Sequence, residues 1–594
     1  MSVSSNVAMI RQWLNLENID ALIIPSSDPH DSEYTPEHWK VREWATGFTG
    51  SAGTAVITKN EAAMWTDSRY FIQAEQQLAN TPYALMKEGV PGVPSLVEWL
   101  NSILDTSARV AFVGQMVSIK VFEEWIQQAN FEFTSVEDPF DYFWHERPQG
   151  VSAPLRIHLV DRAGETVKSK LERIRQAYAK EFPNYLLLSD LSEIAWALNL
   201  RGNDVPYNPF FLSYLLIYDE GAILFVDKRK MTPEVSEYLN ENNIKFRDYA
   251  RIKDFIAGHH EDGQYYVFAS SVNYDIVHYA EQLGVDYDIF ESPVSDLRKI
   301  KNNTETCGFR KAMQSDGCVL VKMLRWLNDE MKRSSVTEVD VANKILALRK
   351  ELPDFRGEAF ATITGYGSNG AIVHYEAEEG KCATLRPKSF LLLDTGAHYQ
   401  SGTTDVSRTI PLGPLTDEEC HIYTLVLKGH IALARCIFPT GTVGVELDLA
   451  ARYAMWQEGY DFGHGTGHGV GARLCVHEGP QQIRKNVRPC TLVPFEEGMT
   501  ITDEPGLYIE GKFGVRIENV LLVQPHSKTP YGTFLHFENL TLCPISTLPI
   551  VKEMLTPEEV AWVNSYNAHV CKELTPLLDD EADKQWLSKE TQAI

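Results

Sequence analysis

Four carboxylates and two imidazoles in the C-terminal half of the chain are of types that could share a metal site. "FLLLDTGAHY" (390–399) carries Asp394 at the end of an apolar run, and "GTTDVSRT" (402–409) carries Asp405 eleven residues on. "GHGTGHGVG" (463–471) carries His464 and His468, "ITDEPGLYI" (501–509) carries Glu504, and "FGVRIENVLLV" (513–523) carries Glu518. Histidines four apart are the spacing of a one-face pair on a helix. Five glycines in nine residues oppose a helix here, because each costs about 1 kcal/mol relative to alanine. The run therefore reads either as a loop or as extended chain that something approaches closely.

Strand patterns surround the carboxylates. Phe513, Val515 and Ile517 alternate with Gly514, Arg516 and Glu518, which places Arg516 and Glu518 on one face of a strand that continues as "VLLV". Burial on both faces would oblige Glu518 to find a partner, and Asp394 after "FLLL" poses the same problem. Pro505 disfavours helix at Glu504. Each residue has a structural alternative: Glu518 paired with Arg516, Asp394 capping a turn before Gly396, Glu504 on the surface, Asp405 in an exposed hairpin. As a set they are reconciled if they converge on metal. Oxygen-rich ligation with one imidazole suits manganese better than a thiolate zinc site. Four negative charges would balance two divalent cations, the composition of a hydrolytic two-metal centre.

The whole chain bounds what such a site can belong to. Its 594 residues predict three or four domains with ample core. With 44% hydrophobic and 23% charged residues it is an ordinary globular composition. A net charge of −26 disfavours nucleic acid and anionic membrane as partners and mildly favours cationic ligands, although simple solubility accounts for it equally well. The nine cysteines all follow residue 306 without a C-x-x-C pair, so they read as scattered reduced thiols rather than a disulfide framework or a zinc site. With no signal-like N-terminus and no apolar run of about 18 residues, a cytoplasmic location is expected.

The elements that must position the site alternate between helix and strand, so the fold class is α/β and α+β. "DALIIP" (20–25) reads as a buried strand, and "GTAVITKNEAAMWTDSRYFIQAEQQL" (53–78) as two strands and a helix. "YLLLSDLSEIAWALNL" (185–200) and "GAILFVDKRKMTPEVSEYLNE" (221–241) repeat a strand–helix order, which predicts an internal repeat of about 150 residues. The expected domains are 1–157, 158–302 and 303–594, the last opening on a helix over about 305–333 and ending in a helical extension over about 546–594. From 385 to 545 the pattern is strand-rich. Thr556, Pro557 and Glu559 predict an N-cap, N1 proline and capping box.

The order Asp394, Asp405, His468, Glu504, Glu518 resembles the five metal ligands of the metallopeptidases with the pita-bread fold. "HGTGHGVG", "VHEGP" (476–480), "DEPGLY" (503–508) and "GVRIENV" (514–520) look most like the three-domain Xaa-Pro aminopeptidases of that family. "SGTTDVSRT", "NGAIVHY" (369–375), "EIAWALNLRGNDVPYNP" (193–209), "GFTGSAGTAVIT" (47–58) and "WTDSRYF" (65–71) extend the likeness over nearly the whole chain. The resemblance implies two creatinase-like N-terminal domains before a pita-bread catalytic domain. It implies two divalent ions, manganese first and cobalt or zinc as alternatives, bridged by Asp405 and Glu518, with Asp394 on one ion and His468 and Glu504 on the other. It further implies a bridging water activated by the pair, with Glu504 moving its proton. By the same resemblance His374 and His477 are catalytic, His464 and His477 frame a substrate pocket, and Arg516 orients the bridging glutamate and the wall of the substrate cleft. The implied activity is release of the first residue from peptides with a free N-terminus and proline second, by a homodimer. Two rivals are a prolidase, restricted to Xaa-Pro dipeptides, and a non-catalytic pita-bread binding module, whose kind typically lacks the ligands.

Overall fold

The computed structural model describes residues 2–150, 152–178, 183–260 and 263–594. It comprises two compact units, Met1–Val160 with Glu165–Leu297, and Asp161–Gly164 with Arg298–Ile594. Among the described residues no helix is long and apolar enough to cross a membrane.

The first unit opens on the helix Val3–Leu16, which Ser2 caps through the Ser5 N–H. Its first sheet has six strands, β1 (Ala21–Pro25), β2 (Thr54–Thr58), β3 (Ala62–Thr66), β4 (Ala84–Lys87), β5 (Arg109–Val113) and β6 (Glu132–Val136), in the order β4-β3-β2-β1-β5-β6. β1 runs antiparallel to β2 and parallel to β5. Both faces are apolar, as the unbroken run "ALII" requires. Val7, Leu14, Val41 and Ala45 cover Leu22 and Ile24 on one face. Val97, Leu100, Val121 and Trp125 cover Ile23, Val110 and Phe112 on the other.

A second sheet repeats this plan. Its strands lie in the order Ile244–Arg247, Gly221–Val226, Ser213–Tyr218, Tyr185–Leu188, Tyr265–Ala269, Asp286–Phe290. The strand Tyr185–Leu188, in the place of β1, is again antiparallel to one neighbour and parallel to the other. The internal repeat in the sequence thus corresponds to two sheets with the same strand order and directions.

The second unit opens on the helix Asn303–Glu330, with Asn302 and Glu305 forming a capping box. Two helices, Asp417–Ala434 and Gly444–Trp456, interrupt the stretch expected to be strand-rich. Their apolar residues surround the axis rather than forming one stripe, so the 3.6-residue period is weak in the sequence. The helix Pro557–Leu574 starts as expected, with Thr556 and Glu559 in a capping box and Pro557 in the first turn. Its Val563, Tyr566 and Val570 pack into the same core as Val321 of the opening helix.

One strand expectation is corrected. Residues 513–523 do not form a single strand: Phe513–Arg516 pairs with Gly506–Ile509, whereas Asn519–Thr529 pairs with Thr500–Asp503 and Gly532–Asn539. The chain changes sheets at Ile517–Glu518, where the Glu518 N–H donates instead to the Ser407 carbonyl at 3.1 Å. Arg516 and Glu518 therefore do not share a strand face by alternation.

Candidate metal centre

Asp394 and Asp405 are brought together by a hairpin. The strand Phe390–Thr395 pairs antiparallel with Val406–Pro411, setting Asp394 opposite Ser407 and Thr395 opposite Val406. Asp405, one residue before that pairing, lies on the same edge. Behind it Arg349 bonds both Asp316 oxygens, at 2.9 and 3.1 Å, and Asp316 accepts from Thr404 at 2.8 Å and Tyr399 at 2.7 Å. This fully buried network fixes the turn that carries Asp405.

The glycine–histidine run is extended chain. Gly467–Gly469 is a short strand against Glu478–Ile483. The other side of the run meets the segment bearing Glu504: the Glu504 N–H donates to the Thr466 carbonyl at 2.9 Å, and the His468 N–H to Thr502 Oγ1 at 3.0 Å. A Cβ on Gly467 would fall 1.9 Å from the Thr502 carbonyl oxygen, so no side chain fits there. Arg452, clamped to Asp448 at 2.6 Å, holds the His464 carbonyl at 3.1 Å, and Thr466 bonds the same aspartate. The glycines admit the close approach; the Arg452–Asp448 pair holds the run in place.

One polar cluster results. His468 Nδ1 lies 2.9 Å from the Gly469 carbonyl, an arrangement that places the proton on Nδ1 and leaves Nε2 as a lone-pair donor. That Nε2 is 3.6 Å from Asp405 Oδ2 and 3.4 Å from Glu504 Oε1. Ligand atoms of Asp405, His468 and Glu518 all lie within 4.8 Å of one another. Ser407 Oγ donates to Glu518 Oε2 at 2.7 Å and accepts from Arg516 Nε at 3.0 Å. Arg516 Nη2 bonds Asp394 Oδ2 at 2.6 Å, so the expected alternative, Arg516 as the partner of Glu518, is not what the fold makes. Asp394 Oδ1 is buried without a hydrogen-bond partner.

The electrostatics are unbalanced in favour of negative charge. Burial raises the pKa values of Asp405 and Glu518 well above the carboxylate range, and repulsion from the other site carboxylates adds to it. Burial pushes Glu504 up to about 7, with Asp394 adding and Arg516 and His477 opposing. Burial acts to lower the Arg516 pKa, but Tyr508 and Asp394 outweigh it and raise the value, so the guanidinium stays charged. One fixed cation among three buried carboxylates and the half-buried Glu504 leaves a deficit of positive charge, and an orphaned carboxylate oxygen marks where it is felt. The donor set and this deficit fit divalent cations bound to oxygen ligands and one imidazole.

The remaining histidines surround this cluster. The His477 ring lies 4.5 Å from that of His468. The segment holding His374 is beside Arg516, whose Nη2 reaches the Val373 carbonyl at 3.4 Å. His464 is 8% exposed, and both its nitrogens are engaged, Nδ1 with the Gly465 carbonyl at 2.7 Å and Nε2 with Tyr508 Oη at 2.8 Å. Burial, with Arg516 next, lowers its pKa to about 3, so the ring is neutral. It can contribute shape to a pocket but has no free nitrogen to offer. Tyr508 was not singled out in the sequence. It accepts from Arg516 Nη1 at 2.7 Å and ties that residue to His464. Its position four residues after Glu504 carries a signal, since a buried tyrosine needs a partner for its hydroxyl. Arg408, within the "DVSRT" stretch, donates to the Glu518 carbonyl at 2.7 Å, a contact that no local pattern foretells.

Known proteins share this chain from end to end. Residues 7–142 and 146–305 each match a Creatinase/Prolidase N-terminal domain, residues 308–525 match Metallopeptidase family M24, and residues 533–594 match the C-terminal region of that peptidase family. Aminopeptidase P2 of Arabidopsis thaliana is 39% identical, over 97% of this chain and 86% of its own. A probable Xaa-Pro aminopeptidase P of Fusarium vanettenii is 38% identical, over 100% and 99%. The crystal structure of X-prolyl aminopeptidase from Caenorhabditis elegans, described as a cytosolic enzyme with a di-nuclear active site, superposes with a TM-score of 0.95 at 32% identity, covering 100% of both chains. An Xaa-Pro dipeptidase from Bacillus anthracis reaches a TM-score of 0.52 at 26% identity, covering 64% of this chain and 99% of its own.

Proposed function

The chain belongs to metallopeptidase family M24, and we infer that it is a metal-dependent Xaa-Pro aminopeptidase, releasing the first residue of peptides whose second residue is proline. The observation that carries this reading is the full-length likeness to an X-prolyl aminopeptidase, with the carboxylate–imidazole cluster at the heart of the catalytic unit. The dipeptidase likeness leaves about a third of the chain unmatched and is the weaker analogy. The test is a comparison of substrates. The protein should remove the first residue from a long Xaa-Pro peptide, leaving an Xaa-Ala analogue nearly untouched. Cleavage of Xaa-Pro dipeptides alone would make it a prolidase, and no cleavage with metal loaded would make it a binding module.

Asp394, Asp405, His468, Glu504 and Glu518 would hold two divalent ions, manganese before cobalt or zinc because oxygen donors dominate. When bound, such ions supply Lewis acidity and make water nucleophilic at neutral pH. The protein's own groups do the rest. Arg516 holds Asp394 through a bond of 2.6 Å and, with Ser407, fixes the orientation of Glu518. Glu504, beside His468 Nε2 at 3.4 Å, can take a proton at its carboxylate and pass it toward the leaving nitrogen. That proton is needed because the leaving nitrogen, proline's own ring nitrogen, would otherwise depart as an amide anion. His374 and His477 stand beside the cluster to donate to the developing oxyanion or carry protons. His464 shapes the wall of the proline pocket, with Tyr508 holding its ring.

We assign residues 1–157 and 158–302 as two creatinase-like modules and 303–594 as the catalytic module, an assignment supported by the matched segments 7–142, 146–305 and 308–525. A homodimer is favoured by an uncovered apolar stripe on the helix Gly444–Trp456. There Leu449, Tyr453 and Trp456, at helical spacing, are 48%, 58% and 42% exposed. The cytosolic description of the nematode enzyme and the absence of an apolar spanning helix among the described residues favour a cytoplasmic location. A free, positively charged peptide N-terminus suits the acidic cleft, whereas a net charge of −26 suits neither nucleic acid nor anionic membrane.

A further inference from the structure

The two sheets of the first unit share one plan, and that plan has a built-in place for a ligand. In an open α/β sheet, two neighbouring parallel strands whose connections leave toward opposite faces open a crevice at their carboxyl ends. β1 and β5 are such a pair. The chain leaves β1 for the helix Val41–Thr46 on one face, and leaves β5 for the helix Ile119–Ile126 on the other.

In the second sheet the corresponding place is filled. His30, from the loop after β1, inserts at the carboxyl ends of Tyr185–Leu188 and Tyr265–Ala269 and is 2% exposed. Its Nδ1 meets the Ser189 carbonyl at 2.9 Å, its Nε2 meets Tyr249 Oη at 2.8 Å, and its ring lies 4.7 Å from that of Tyr214. Asn273 closes over it by donating to the Pro29 carbonyl at 3.0 Å. An imidazole side chain thus occupies one copy of the crevice, held by a polar atom at each ring nitrogen and by aromatic faces.

The first copy is open, with a volume of 380 Å³, within the range of small-ligand sites. Ser27 from the end of β1 and Ser118 from the end of β5 flank it, Trp65 and Trp125 give it aromatic wall, and Asp31 lies at its edge. Asp31 faces hydroxyls, Ser27 Oγ at 3.4 Å and Ser118. The one cationic side chain in the lining, Arg69, is committed to Asp67 by two bonds of 2.8 and 2.7 Å. The crevice therefore combines an acidic group with no cation bonded to it and a π-rich apolar surface, the pairing that recognises organic cations.

We propose that the crevice between β1 and β5 is a second ligand site, which takes a small organic cation with a flat apolar body, the cationic nitrogen on Asp31 and the ring against Trp65 and Trp125. The site is independent of peptide hydrolysis. Tryptamine is a suitable probe and indole-3-propionate, the same ring with a carboxylate, its control. Isothermal titration of the full-length, metal-loaded protein should show saturable tryptamine binding at about 1 mM or tighter, the level expected for a ligand of this size. The carboxylate control should bind at least tenfold more weakly. Asp31→Asn, an exposed substitution, should weaken tryptamine at least tenfold. Val121→Trp, which fills the crevice, should abolish binding. Both variants should keep wild-type hydrolysis of an Xaa-Pro peptide, and saturating tryptamine should not inhibit the wild type. No saturable binding, equal binding of the two indoles, or undiminished binding in both folded variants would overturn the proposal. So would competition by an Xaa-Pro substrate, which would place tryptamine in the catalytic cleft instead.

Discussion

Glu504→Gln should stabilise the metal-stripped protein at pH 8 while abolishing the activity of the metal-loaded protein. In the stripped protein Glu504 lies beside Asp394, Asp405 and Glu518, and its pKa rises from 4.5 to about 7. The folded state therefore holds the proton more tightly than the unfolded chain. The stabilisation that goes with that proton is complete below pH 4.5 and is lost as the pH rises through 7. The rise corresponds to about 3 kcal/mol, at about 1.4 kcal/mol per tenfold change in proton affinity. Glutamine has the same shape and no charge to repel. Urea unfolding at 25 °C should find the two stripped proteins equal near pH 4.5. At pH 8 the variant should be about 3 kcal/mol more stable, an increase of about 5 °C in Tm for a unit of this size. Saturating manganese should reverse the order, because the ions bind the folded state and prefer the complete ligand set. Equal stability of the two stripped proteins at pH 8, or a wild type that grows more stable between pH 5 and 8, would refute the view that Glu504 sits among uncompensated buried charges.

Three further outcomes are expected. Chelation should abolish peptide cleavage and manganese should restore most of it, read as activity against bound metal; full activity in metal-free protein would end the metal reading. His374→Ala and His477→Ala should each lower kcat by about 10²-fold or more with metal content retained, as measured by steady-state kinetics and metal analysis. Metal lost in step with activity would make these residues ligands or supports. Tyr453→Glu, in the exposed stripe of the helix Gly444–Trp456, should shift the protein from dimer to monomer in sedimentation; an unchanged dimer would place the interface elsewhere.

The sequence by itself carried the residue types of the site and the local conformation around them. Five glycines excluded a helix at His464 and His468, Pro505 kept Glu504 on extended chain, and an apolar run delivered Asp394 at a strand end. These are properties of a few consecutive residues, so they are legible in one dimension. The repeat was legible for the same reason, since strand and helix periods recur in each half of the first unit.

Partnership was not legible, because it is a relation between distant segments. Alternation placed Arg516 beside Glu518, yet the chain changes sheets between them and Arg516 bonds Asp394, 122 positions earlier in sequence. Tyr508 acquired its place from His464 on one side and Arg516 on the other. The helices Asp417–Ala434 and Gly444–Trp456 leave little trace in the sequence because apolar residues lie on every side of them, on the exposed side of the second as Leu449, Tyr453 and Trp456, so no polar face marks their period. Of two crevices with the same strand plan His30 enters one, and no local pattern in "SSDPHDSEY" (26–34) says where that ring will go. Sequence set which chemistry was available, through propensity and period. The tertiary structure decided which charges face one another, because burial and pairing depend on segments that meet only after the chain has folded.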